Sequence, residues 1–535
     1  MKKFLLWAVA AFLFSLSSQA QKDFYATDTI QEIRIVFTQD NWRYLLDSLR
    51  YNGDELLLGT ADINGAKLED VGVRYREGRG HTPGAKRNGL FLQLNKVNPD
   101  QHYQGYFNVD LSSAIRDPSM VREVLGLEIL RKYVPAAKAN FARVFINDAF
   151  YGLFVNIEPV GPAFLERNFG SASGALFLSD PSMVNDEPDG CMSNVFGSLQ
   201  KDISLYCYQH YFKAVQGNDW DGLMQMIHVL NREYQKMDSV LDVEKAIWML
   251  AFNNLTVNLS SYTGQFSPNY YLYKDSQGRF APIVTHLNFG FGSYKNTGNG
   301  SDLGIREMMA MPLDLHYNEP TRPLIVRILG NELWRKKYYA AMRQMLEDNF
   351  KNDAFTKRAE ALQALIQGTL EKDENKYYTM EEFSSSLTAI IGEKSRIPGL
   401  ADFVSRRVNW VESQQIFRIA PPEISDVSVE KRERFSSKNV TDFKVRAKVD
   451  RFTKKVMVYY RYSPDQPFME AQMMDDGKSN DDQAGDSVFG ITIKPGGGTD
   501  ALEYYVMAEN AKLVSFMPAH YTTEHRMVTL AELNN

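Results

Sequence analysis

Apolar and polar positions along this chain fall into a few periodic runs. Residues 33–37 alternate at first and predict a strand, and 41–49 follow at helical spacing with Trp42, Leu45, Leu46 and Leu49. Strands predicted around 71–75 and 90–94 flank a basic, glycine-rich stretch at 76–89. Asp117-Pro118-Ser119 predicts a helix start, because Pro in the first turn and Asp or Ser near the cap answer free N–H groups. Val121, Leu125, Leu127, Ile129, Leu130 and Tyr133 supply its apolar residues. Residues 142–146 and 152–157 predict two strands turned at Asn147-Asp148. Helices are expected over 219–240 and 243–258, and strands at 270–273 and 280–284. From Glu332 to about Ile416 the pattern is mostly helical, while 21–30 reads as a polar lead-in. Strands precede helices without βαβ repetition, so the fold class is α+β.

The pattern changes at Ala420-Pro421-Pro422. Short β-rich runs then follow at 427–429, 443–449, 455–462, 489–493, 503–508 and 526–530, spaced as in a sandwich. A body at 21–418 and an all-β sandwich of immunoglobulin or fibronectin type at 419–535 are therefore expected. Residues 1–20 have the form of a secretory signal: Lys2 and Lys3, an apolar run, then Ser18-Gln19-Ala20. That run is shorter than the ~20 residues of a bilayer span, and no later stretch is apolar enough for one. The mature chain is expected to be exported without a transmembrane segment, to a periplasm, cell surface or extracellular space. Export permits a disulfide between Cys191 and Cys207, and two buried thiols fit the sequence equally well. The formal charge of -6 becomes more negative without Lys2 and Lys3, which argues against a nucleic-acid partner.

Several segments carry candidate chemistry. Backbone N–H groups of the 76–89 turn, with Arg76, Arg79, Lys86 and Arg87, could cradle a phosphate. A solvated hairpin loop is the plainer reading. Glu158 ends an apolar strand, where a carboxylate can orient a cation or ligand. Asn269 and Thr285-His286-Leu287-Asn288 flank a short hairpin with a glycine-rich exit, a usual place for ligand groups. His286 and Asn288 share a face if the strand continues. One His with one Asn is a poor metal set, and a hydrogen-bonded structural His is the simpler account. The 475–486 stretch is dense in the oxygen donors that calcium prefers. Its spacing is not that of an EF-hand, and Asp and Asn also stabilise turns, which is the favoured reading. No GxSxG, HExxH or Walker loop is present.

Ordered blocks between Val71 and Met345 resemble the CotH kinase family of secreted, atypical protein kinases. They are Val71-Gly72-Val73-Arg74-Tyr75-Arg76, Asp117-Pro118-Ser119-Met120-Val121-Arg122-Glu123, Asn140-Phe141-Ala142-Arg143-Val144-Phe145-Ile146-Asn147, Gly152-Leu153-Phe154-Val155-Asn156-Ile157-Glu158, Asn269-Tyr270-Tyr271-Leu272-Tyr273-Lys274-Asp275 and Arg322-Pro323-Leu324-Ile325. The resemblance implies a kinase-like fold that binds ATP with Mg²⁺ or Mn²⁺ and phosphorylates protein. It places Arg76, Arg87, Glu158 and Asn269 toward nucleotide and Asn288 toward metal. Four departures stand out. Glu77-Gly78-Arg79-Gly80 replaces Gly-Asn-Ser-Ser, Leu178 replaces a lysine, Ser260 an acidic residue, and His286 an aspartate. Magnesium wants carboxylates, and Ser260 is too weak a base to stand in for one. The expectation is a degenerate kinase fold that works as a binding or scaffold protein toward an unknown protein or surface ligand, still able to hold a nucleotide or phosphorylated group. The alternatives are an active secreted kinase using Asn288 and another carboxylate, and a surface adhesion or glycan-binding protein working through the sandwich.

Overall fold

The computed structural model describes residues 22–53, 55–76, 81–180, 188–192, 196–433, 441–450, 452–464, 466–494 and 501–529. The expected signal at 1–20 and the loop residues 77–80 lie outside the described residues. Seven strands form the first layer: β1 (Ile30–Val36), β2 (Leu57–Ile63), β3 (Ala66–Tyr75), β4 (Leu90–Gln93), β5 (Asn108–Ser112), β6 (Ala139–Ile146) and β7 (Ala149–Ile157). They close into a barrel in the order β1-β2-β3-β4-β5-β7-β6. Its joins are antiparallel except the closing pair of β1 and β6. Closure leaves no free sheet edge. Alternation in β1 sends Ile33 and Ile35 inward, and α1 (Trp42–Asn52) adds Trp42 and Leu46 to the same core. Asn147 and Asp148 both take positive φ, 47° and 63°, as a two-residue hairpin turn between twisted strands requires. The lead-in at 21–30 is not a tail. Phe24 and Tyr25 are buried in the barrel core, and Asn140 Nδ2 donates to the carbonyls of Phe24 and Ala26.

The second layer contains α2 (Arg122–Leu130) and a four-stranded sheet made of β8 (Leu176–Ser179), β9 (Lys213–Gln216), β10 (Tyr270–Lys274) and β11 (Phe280–Val284), ordered β11-β10-β8-β9. Helices Val243–Leu255, Glu332–Asn349, Ala354–Glu371 and Leu400–Ser413 are the longer helices packed with it, beside Trp220–Arg232 and Pro323–Gly330. Helix Val243–Leu255 is buried over nearly its whole length, as an all-round apolar sequence demands. Asp117 works at a distance from the helix that its motif predicts. The helix starts at Arg122, and Asp117 accepts from the backbone N–H of both Ser119 and Arg122. Cys191 and Cys207 form a disulfide.

The C-terminal strands are β12 (Ile424–Glu433), β13 (Thr441–Val449), β14 (Lys455–Arg461), β15 (Met469–Met473), β16 (Val488–Ile493), β17 (Ala501–Glu509), β18 (Val514–Met517) and β19 (Arg526–Thr529). One sheet is β12-β13-β16; the other is β15-β14-β17-β18, with β19 also on β17. The period of two in β14 and β17 serves two cores at once. Val456, Val458, Leu502, Tyr504 and Val506 face the other sheet. Met457, Tyr459, Tyr505 and Met507 belong to the core of the helical body. The β module is thus a third packed layer.

A buried ion pair ties the barrel to the helices. Arg87 Nη1 donates to Asp373 Oδ2 at 2.6 Å and to the Leu153 carbonyl at 3.1 Å, and Nη2 donates to the Ser113 carbonyl at 2.8 Å. Asp373 also accepts from the N–H of Leu153 and Asn375. Both side chains are shielded from water. Burial pulls the Arg87 guanidinium below its usual range, opposed by Asp373. The donors of Arg87, expected from the sequence to face nucleotide, are turned to the interior here. Removing one partner of such a pair strands a buried charge. Asp373→Ala is expected to lower unfolding free energy by about 3–5 kcal/mol in urea denaturation.

Candidate functional site

Between the barrel and the second sheet lies a cleft of about 220 Å³, walled by Arg76, Ser112, Arg116, Asp180, Ser260, Asn269, His286 and Asn288, with Ile115, Pro268, Phe289 and Tyr294 as its apolar side. A neighbouring groove of about 330 Å³ shares Arg76, Asp180 and His286 with it and adds Asp110, Glu158 and Leu178.

The backbone brings these groups together at some cost. β11 ends at Val284, and His286 has φ 58° at the start of a 3-10 turn, Leu287–Phe289. The premise of a continuing strand is therefore corrected. His286 and Asn288 both reach the cleft, but through a turn. Phe266, Ser267 and Asn269 also have positive φ, at 65°, 45° and 61°, and so does Val257 at 50°. For a β-branched residue such as Val257 this is an outlier. Each such residue costs on the order of 1–3 kcal/mol and persists only where its surroundings over-determine it. Arg322, from the last block of the resemblance, helps to do so. It is buried, donates to Ser267 Oγ, and binds the carbonyls of Gly264 at 2.7 Å and Thr297 at 3.2 Å.

Asn269 and Ser260 meet directly, with Asn269 Nδ2 donating to Ser260 Oγ at 2.8 Å and to its carbonyl at 2.9 Å. Asn288 is 5% exposed, and its Oδ1 has no hydrogen-bond partner. His286 Nδ1 is likewise enclosed and unpartnered. Burial, and then the charge of Arg76, hold the His286 ring well below its usual pKa, so it is neutral at physiological pH. Arg76 forms a two-pronged pair with Asp110 at 2.5 and 3.0 Å. Burial opposes its charge, but Asp110 and Glu123 outweigh burial and keep it charged. Glu158 lies in the adjoining groove. Its side chain is fully enclosed, gripped by both terminal nitrogens of Arg167 and by the Lys138 N–H at 2.9 Å. It anchors that wall and leaves a ligand little to bind. Leu178 is buried on β8 beside the same groove.

Two residues of the cleft, Asp180 and Arg116, and the buried Glu123 that interacts with Arg76 lie outside the sequence assignments. Asp180 directly follows β8, so the strand-end logic applied to Glu158 would have found it. Arg116 donates to the Ser293 carbonyl at 3.0 Å and leaves Nε enclosed without a partner. Glu123 is 1% exposed in the first turn of α2, and its place beside Arg122 in an otherwise apolar run was the available signal. Neither of its oxygens makes a well-formed hydrogen bond, although the Ser112 hydroxyl gives partial relief. In the β module, Asp475, Asp481 and Asp486 bring their oxygens together. Those oxygens accept from the N–H groups of Gly485, Ser487, Gly477, Gln483 and Val488, which supports the turn reading over calcium.

A strand barrel set on a helical body, with a polar cleft where they meet, is the two-lobed build of a kinase-like protein. Residues 78–411 match the CotH kinase protein family, and the chain belongs to it. Among curated proteins none matches the chain. Among the described residues no helix is long and apolar enough to cross a membrane.

Burial, opposed by Arg76 and aided by Asp110 and Asp117, pushes the Glu123 carboxyl up to about 7. The folded protein then holds a proton that the unfolded chain releases near its ordinary value of 4.5. Stability should fall as pH rises from about 4.5 through 7, by on the order of 3 kcal/mol. Urea denaturation at pH 5 and pH 8 is expected to show this loss in the parent and its near absence in Glu123→Gln.

Proposed function

We propose that this chain is an exported, catalytically degenerate member of its family, acting as a binding or scaffold protein through the cleft. One observation carries the reading: the cleft presents neutral groups where metal-assisted phosphate transfer requires carboxylates. The family generally uses ATP with a divalent metal. A hard cation in a nucleotide site is held by one or two carboxylates together with phosphates. Among the described residues lining this cleft only Asp180 is a carboxylate; Ser260, Asn269, His286 and Asn288 are uncharged. Asp110 and Glu158, in the groove beside it, are engaged by Arg76 and Arg167. These residues do not fit a metal–nucleotide complex.

They suit a different occupant. Asn288 Oδ1 and His286 Nδ1 are enclosed polar atoms without a partner, and leaving them so is costly. A ligand with neutral hydroxyl or amide groups would satisfy both and lie against Phe289 and Tyr294. The strained backbone at Asn269 and His286 supports a site kept for binding. The Cys191–Cys207 bond supports export, since disulfides persist in oxidising compartments. A reading in which the sandwich alone binds has less support, because β14 and β17 are covered by the body.

With radiolabelled ATP and Mg²⁺ or Mn²⁺, neither autophosphorylation nor transfer to added protein is expected. The thermal midpoint should not move with ATP and metal, whereas a ligand at a hundred times its Kd adds about 2.7 kcal/mol. Ser260→Asp combined with His286→Asp is expected to introduce a metal-dependent shift. Metal-dependent autophosphorylation lost in Asp180→Asn would overturn the reading.

A further inference from the structure

The loop between β18 and β19, residues 518–525, is clamped onto the end of α2. Thr522 Oγ1 donates to the Tyr133 carbonyl at 2.6 Å, and Thr523 Oγ1 to the Lys132 carbonyl at 2.9 Å. These carbonyls lie two and three residues past Leu130, in the turn that closes α2 with Lys132 and Tyr133 N–H bonds to the Ile129 and Leu130 carbonyls. His520 Nε2 lies 2.8 Å from Asp348 Oδ2, which also accepts the Tyr133 hydroxyl at 2.6 Å. Tyr521 donates to Glu244 Oε2 at 2.6 Å, and Lys337 pairs with the other oxygen of that carboxylate. Tyr133 in turn stacks on Trp248, with ring centres 4.5 Å apart.

The other end of α2 reaches the cleft twice. Glu123 in its first turn faces Arg76 electrostatically. One turn further on, Gly126 sits so close to Leu287 that an added Cβ would lie 2.7 Å from Leu287 Cδ1. Leu287 stands between His286 and Asn288, the two residues with unpartnered atoms in the cleft. A contact this close leaves little room for α2 to shift alone.

We propose that the C-terminal β module positions the cleft: the 518–525 loop holds α2, and α2 holds the turn that carries His286 and Asn288. The module is then a working part of the kinase-like body, and anything that loosens the loop loosens the site. This inference needs no assumption about what the cleft binds, so it stands or falls separately from the proposed function.

Hydrogen–deuterium exchange on the full chain tests it. Thr522→Val with Thr523→Val removes two hydrogen bonds and keeps side-chain shape. Amides in 122–130 and 285–291 are expected to exchange about tenfold faster or more, with β1–β7 unchanged. If the double variant folds poorly, Thr523→Val alone, at an exposed position, should give the same pattern at smaller size. Gly126→Ala should accelerate exchange at 285–291 while leaving 518–525 as in the parent. Acceleration confined to 131–134 and 518–525 would overturn the proposal, as would a rise spread evenly over the barrel or no change at 285–291.

Discussion

The contact between Gly126 and Leu287 is the constraint on which the cleft depends. A Cβ at that position would lie 2.7 Å from the Leu287 Cδ1 methyl, so Leu287 would have to move to make room. Packed interiors resist small displacements. The position of α2 is therefore shared by the Leu287–Phe289 turn, by the Glu123 carboxyl opposite Arg76, and by the 518–525 loop at its far end. Three layers meet along one nine-residue helix.

The charges of the chain are arranged around the same logic. Arg87 with Asp373, Arg122 with Asp117, and Arg167 with Glu158 each draw the carboxylate out of reach of solvent. A buried ion pair of this kind contributes little net stability compared with apolar packing, but its rupture is severe, so it fixes which segments meet. Arg87 and Asp373 join the barrel to the end of helix Ala354–Glu371. Arg122 reaches the Pro398 carbonyl as well as Asp117. Several acids of an acidic chain thus serve as buried fasteners, while the cleft lining carries Arg76, Arg116 and Asp180 among uncharged polar groups.

Much of this was legible in the sequence where the signal is local. Strand alternation, the Asn147-Asp148 turn and the helical spacing of 243–258 depend on neighbours a few residues away, and each appears in the fold. The β runs after Pro422 were legible for the same reason, though Met469–Met473 and Val514–Met517, short strands with mixed polarity, were not. The fate of a charged side chain is decided by partners far along the chain. Arg87 and Asp373 are 286 positions apart, so no spacing could say that Arg87 points inward. Phe24 and Tyr25 looked like a lead-in because their burial comes from Tyr103, Tyr106 and Asn140, which are distant in sequence. The strand expected at 280–284 forms as Phe280–Val284, and it stops there because His286 takes a left-handed conformation that tertiary packing permits.

The uncharged Ser260 and His286 in the cleft have a consistent physical reading. A second or third carboxylate beside Asp180 would need a cation to be tolerable in a partly enclosed site. With Ser260 bridged by Asn269 and His286 neutral, the cleft holds its shape without one. The left-handed backbone at Phe266, Ser267, Asn269 and His286 is held in place partly by the buried Arg322, which bonds Ser267 and the Gly264 and Thr297 carbonyls. A lining in which Arg76, Arg116 and Asp180 carry the charge and Ser260, Asn269, His286 and Asn288 do not is consistent with the proposed binding role.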